Sequence, residues 1–170
     1  VVAALVAFLL KARIQLDGGK GSSASDSGHA PKLVLDGPAG AEIHGDLAIA
    51  RFLARTSGGE ALLPADAHAA AEVDQWVDFA IACLSLPSLQ AAGAALLAPL
   101  NAALGSRTFL AGYTLTMADV AAFAALLAIG EEAASGYGHV TRWASLCHSR
   151  LPGREVNGRL RLAINRAAAV

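Results

Sequence analysis

The sequence predicts a mostly helical protein: a reduced α/β part in the first 56 residues, then an all-α part. Three observations predict it. Apolar residues make up 55% of the 170-residue chain but aromatics only 5%, so alanine carries the excess, and alanine is the best helix former. Short alternating runs, read as strands, occur only near the N-terminus, at 14–19 and 32–37. Beyond residue 66 the pattern reads helical throughout, with Gly and Pro confined mainly to the connections.

Taken in order, VVAALVAFLL (1–10) extends to an apolar helix over 1–13. It is too short to cross a bilayer, lacks a basic leader and ends at Lys11 and Arg13, so it reads as a buried helix and not as a targeting segment. The missing initiator Met suggests a fragment. GKGSSASDSGHAP (19–31) is a Gly/Ser loop that misses the GxxxxGK[ST] spacing of a phosphate loop. After the strand KLVLDG (32–37) and a loop containing Pro38, HGDLAIARFLART (44–56) reads as a helix. Leu47, Ile49, Phe52 and Leu53 mark its apolar face, with Arg51 and Arg55 on its polar side.

SGGEALLPAD (57–66) is the expected linker, which divides the chain into 1–56, a helical part over 67–151 and a tail over 152–170. Helices are predicted over roughly 66–85, 88–104, 116–130 and 138–151. The tail carries Arg154, Arg159, Arg161 and Arg166 against Glu155, and leads into a further domain or forms a poorly ordered extension.

Composition limits the chemistry. The net charge of −1, from 13 basic and 14 acidic residues, gives no whole-domain footprint for nucleic acid. Cys83 and Cys147 lack a CxxC spacing and read as buried, reduced thiols of an intracellular protein. The five histidines show neither HxxxH nor HExxH spacing, so neither a metal site nor a cofactor is expected.

Thr116–Met117–Ala118–Asp119 could suggest catalysis. A Thr at the N-cap and an acid three residues on also make a capping box, and the apolar run VAAFAALLAIG beyond it suits a helix buried at a domain centre. No base or nucleophile is signalled beside Asp119, so it reads as structural. In VDQWVDF (73–79), Trp76 reads as a packing anchor, and Asp74 and Asp78 as acids on a solvated face. In HVTRWASL, Trp143 reads as core, whereas Arg142 must find water, a carboxylate or a partner.

These pieces resemble a glutathione-transferase-like fold, with a reduced thioredoxin-like N-terminal part and an all-α C-terminal domain. FLAGYTLTMADVAAFAAL is similar to that superfamily's capping segment. EVDQWVDFA, SRTFLAGYTLTMADV, HVTRWASL and AIARFLART resemble the N-terminal domain of eukaryotic cytosolic glutamyl-tRNA synthetases of plant and algal type, over roughly residues 1–150.

The resemblance also has departures. The first strand, which would bear a catalytic Tyr, Ser or Cys, is missing. Lys32 stands where a Pro would precede the strand, and Gly45–Asp46 replace the Glu–Ser pair that holds glutathione. The synthetase nucleotide signatures are missing too. The resemblance therefore implies a non-catalytic, cytoplasmic module, with any glutamate–tRNA ligase chemistry elsewhere in the parent protein. It would join other transferase-like domains of synthetases or their cofactor proteins into a multisynthetase complex, or pair with itself, and aid tRNA delivery. Two surfaces are implied: Arg51, Phe52 and Arg55 facing a partner's counterpart of Gln75 and Asp78, and a patch centred on Arg142. The tail arginines would be the tRNA contacts. The alternative is a glutathione transferase that lacks its first strand in this fragment.

Overall fold

A computed structural model describes residues 32–35 and 41–151. The expected helix over 1–13, the strand over 14–19, the loop over 19–31 and the arginine-rich tail, with Arg154, Arg159, Arg161 and Arg166, lie outside the described residues.

Two three-residue strands, β1 (Lys32–Val34) and β2 (Glu42–His44), pair antiparallel with Leu33 opposite Ile43. Lys32 and Glu42 bridge the hairpin across neighbouring positions at 3.0 Å. β2 has no counterpart among the expected elements, because three residues are too few to display an alternation. Helix α1 (Asp46–Thr56) comes next and packs on both strands, burying Ile49, Ala50, Leu53 and Ala54. A short 3-10 turn, Glu60–Leu62, interrupts the segment read as linker and tucks Leu62 into the core.

Four helices complete the fold: α2 (Ala67–Leu84), α3 (Leu89–Ala103), α4 (Met117–Ile129) and α5 (Gly138–Arg150). Each boundary falls within a residue of its expected place, and side chains at the helix starts satisfy amides that the helix itself leaves free. The Asp66 carboxylate accepts from the Ala69 amide at 2.8 Å, and the Ser88 hydroxyl accepts from the Ala91 amide at 3.1 Å. Gly130, at φ 106°, closes α4 in a conformation that strains any residue bearing a Cβ. A 3-10 turn (Glu131–Ala134) then leads to α5.

α4 is the centre of the molecule. All ten residues from Met117 to Leu126 are buried, and the helix packs against α2, α3 and α5. An alanine-rich helix lets its neighbours approach closely, while Phe123 and Leu126 supply bulk, each worth about 1.5–3 kcal/mol of burial. Cys83 and Cys147 are both free and buried. Burial pushes the Cys83 thiol up. It pushes Cys147 up further, with the neighbouring Asp119 carboxylate adding to the effect. Both therefore stay thiols at neutral pH.

Candidate functional site

The Thr116–Asp119 motif, with its suggestion of catalysis, is a structural hub. Asp119 is completely buried at the third position of α4. Its Oδ1 accepts from the Leu110 amide (3.0 Å) and from Trp143 Nε1 (2.9 Å); its Oδ2 accepts from the Thr116 amide (3.0 Å) and hydroxyl (3.2 Å). Thr116 and Asp119 form the expected capping box. A carboxylate offers about four lone-pair sites, and all four are taken here. Burial raises the Asp119 pKa, and the hydrogen bonds from Leu110, Thr116 and Trp143 oppose that shift without cancelling it. Asp119 thus ties the residues before α4, α4 itself and α5 together through four internal hydrogen bonds.

Sequence reasoning missed the Trp143–Asp119 bond, although its signal is there. A buried indole N–H needs an acceptor, and Asp119 is the acid that begins the most apolar helix. Trp143 also meets Phe123 edge-on, with ring centroids 6.1 Å apart. Trp76, read as a packing anchor, is half-buried and contacts Phe79 edge-on at 5.8 Å.

Around this hub the connection between α3 and α4 is tied to three helices. Arg142, exposed on α5, donates from one nitrogen to the carbonyls of Leu104 and Arg107, each at 2.9 Å. Arg107 in turn donates to the Leu110 carbonyl at 3.1 Å and pairs with Glu72 of α2. No local pattern signals the Arg107–Glu72 pair, whose members lie 35 residues apart. Arg142 thus finds backbone carbonyls, and among the described residues no other group occupies the rest of its guanidinium. At the far end of this connection, Tyr113 is 92% exposed, just after Gly112 at φ 84°.

The second surface lies where α1 meets α2. Arg51 pairs with Asp74 of its own chain at 2.5 Å, so part of its charge is satisfied internally. Phe52 is half-buried against the core, while Arg55, Gln75 and Asp78 are exposed. No hydrogen-bond or ion-pair partner among the described residues holds Arg55 or Asp78.

At the start of α1, where the resemblance would require a Glu–Ser pair, Gly45 is the N-cap at φ 95° and offers no side-chain hydrogen bond to the helix, and Asp46 follows as its first residue. Among the described residues, no group of three or more His, Cys, Asp or Glu could hold a metal ion, and no helix is long and apolar enough to cross a membrane.

Residues 69–151 match the family described as nuclear-export cofactor Arc1p. The chain is 36% identical over 110 residues to the human aminoacyl tRNA synthase complex-interacting multifunctional protein 2. That match takes in 65% of this chain and 33% of the human protein, so the chain spans about a third of that relative's length. Among solved structures, it superimposes on glutathione S-transferase 1-6 of Anopheles dirus species B with TM-score 0.77 and 19% identity, covering 99% of this chain and 92% of that one. For a delta-class glutathione transferase of Nilaparvata lugens the TM-score is 0.70 and the identity 24%, over 92% and 86% of the two chains. At such identities the likeness speaks for architecture, and that architecture is a mostly helical, glutathione-transferase-like fold.

Proposed function

We propose that this chain is a non-catalytic protein-interaction domain that docks aminoacyl-tRNA synthetases and their cofactor proteins into a complex. The observation that carries this reading is the 36% identity to a human protein named for its interaction with the synthetase complex. The match of residues 69–151 to the Arc1p family supports it, as does the commitment of Asp119 to internal hydrogen bonds.

In its finer form, the parent is a cytoplasmic glutamyl-tRNA synthetase-like translation protein. This is supported by the similarity of EVDQWVDFA, SRTFLAGYTLTMADV and HVTRWASL to that family's N-terminal domain. Residues 1–56 and 67–151 act as its two structural units. Arg55, Phe52 and Asp78, with Arg51 partly engaged by Asp74, form one docking face for another transferase-like domain or a second copy. The unengaged part of the Arg142 guanidinium centres the other. A planar guanidinium already held in place loses little freedom when it meets a partner carboxylate or carbonyl. The tail arginines supply a secondary contact to tRNA during delivery.

The test is analytical ultracentrifugation and pull-down with purified synthetases and synthetase cofactor proteins, together with a calorimetric titration of glutathione. Association that weakens at least tenfold in Arg55→Glu or Asp78→Lys, or in Arg142→Ala, is the expected result. A stable monomer that binds none of these proteins, or tight glutathione binding, would overturn it.

A further inference from the structure

Outside these two faces, the described residues form a groove of about 420 Å³ between the start of α3 and the end of α4. Leu89, Gly93 and Leu97 line one side, and Ile129, Ala133 and Tyr137 the other; no charged side chain of the described residues lines it. The α3 wall continues onto the solvent face of that helix. Gln90, Ala94, Ala98 and Ala102, four residues apart and all exposed, run along its length. An exposed helix face ordinarily carries charge, yet the chain has no charged residue from Phe79 to Ser106. At the N-terminal end of this face two leucines project: Leu89, on the lip of the groove, is 51% exposed, and Leu86, three residues earlier, is 40% exposed. Projection and recess thus lie side by side on one uncharged surface.

That arrangement fits a second copy of this chain better than a partner of different chemistry. A two-fold contact needs a surface that meets itself, each copy's projection entering the other's recess. This face has no charge to repel its own image, and none with which to select a charged partner. Gln90, on the groove wall, carries both a donor and an acceptor and can therefore pair with itself across an axis. Alanines at four-residue spacing let two helices approach closely. The acids next to the groove in sequence are engaged within the chain: Glu131 pairs with His148, and Glu132 folds its carboxylate over Gly130.

We propose that two copies of this chain pair through α3, antiparallel about a two-fold axis at Gln90. Leu86 of each copy then lies over the partner's Ala94 and enters the groove, while the Glu131–Glu132 edges stay at the outside of the pair. The contact is at the low end for specific interfaces, about 1,200 Å² or less in total, so pairing is reversible and depends on concentration. It uses neither the Arg55–Asp78 face nor Arg142, and it stands independently of the docking function.

The test is sedimentation equilibrium of the full chain from about 5 to 500 µM, where a monomer–dimer equilibrium is expected. Ala94→Glu and Leu86→Asp, both at exposed positions, should each weaken pairing at least tenfold with an unchanged circular dichroism spectrum, whereas Arg55→Glu should leave pairing unaffected. Cysteine crosslinking under mild oxidation reads the register, since the native Cys83 and Cys147 are buried. Gln90→Cys should form a disulfide with its own counterpart across the axis. Leu86→Cys and Ala94→Cys chains should link to one another when mixed, and neither should link to itself. A monomer over the whole range, including one whose groove takes up an alkyl probe such as decanoate, would overturn the assignment. So would a dimer weakened by Arg55→Glu and not by Ala94→Glu, or crosslinks in another register.

Discussion

Replacing Asp119 by Ala should be among the most damaging single changes available to this fold. The substitution leaves three buried N–H groups without their acceptor: the Leu110 and Thr116 amides and Trp143 Nε1. Each abandoned donor costs about 1–3 kcal/mol. The three share one carboxylate, so their costs overlap, and relief of the carboxylate's own desolvation offsets part of the loss. A total of about 4 kcal/mol is expected, a large fraction of the roughly 5–15 kcal/mol typical of a folded domain. Asn at 119 keeps one carbonyl acceptor but turns an amide toward a donor, so about 2 kcal/mol is expected at pH 7. Urea unfolding followed by circular dichroism and tryptophan fluorescence measures both. A double-mutant cycle isolates the central bond: Trp143→Phe should cost about 1–2 kcal/mol less in the Asp119→Ala background than in the wild type. Costs that add within about 0.5 kcal/mol would refute the hub reading.

The same geometry sets four further outcomes. Because burial raises the Asp119 pKa above its ordinary value of 3.8, the folded state holds this proton more tightly than the unfolded one. The stability this adds is complete below 3.8 and is lost as pH rises through the raised folded value, so the wild type's advantage over Asp119→Asn should shrink with rising pH in paired urea titrations. Arg142→Ala removes the two bonds to Leu104 and Arg107 and should cost about 1–2 kcal/mol by thermal unfolding, with Lys recovering part of it. Asp74→Asn should cost no more than about 0.5 kcal/mol, since Asp74 is 57% exposed and its pair with Arg51 is open to solvent. Phe123→Ala, which empties the space between Trp143 and His148, should cost about 3–5 kcal/mol in the same assay.

The features legible in the sequence are those that neighbouring residues decide. Asp66, Ser88 and Thr116 each satisfy an amide three positions away, so the starts of α2, α3 and α4 are readable from short stretches. The burial of α4 is readable because VAAFAALLAI has no polar side to turn outward. The short elements are not: β2 and the 3-10 turns at 60–62 and 131–134 are held by packing and turn geometry, with no periodicity to display. The long-range polar contacts escape for a different reason. Glu72–Arg107 and Asp119–Trp143 join residues 35 and 24 positions apart. Local pattern says that Arg142 and Trp143 need partners, but only the packing of α5 against its neighbours selects which.

Those long-range contacts connect the buried hub to the surface. Asp119 fixes the Leu110 amide, Leu110 offers its carbonyl to Arg107, and Arg107 offers its own carbonyl to Arg142. A side chain that reaches solvent is thereby referenced, through two backbone carbonyls, to a carboxylate at the molecular centre. Docking through Arg142 would then begin from an orientation already set by the fold, which reduces the ordering cost of association. The same chain of bonds implies a dependence that a solvated arginine would not show. Asp119→Asn, assayed where it remains folded, should weaken docking through Arg142 while leaving docking through Arg55 and Asp78 unaffected. Equal weakening at both faces would instead indicate general loss of structure, and the hub would then have no selective hold on the Arg142 surface.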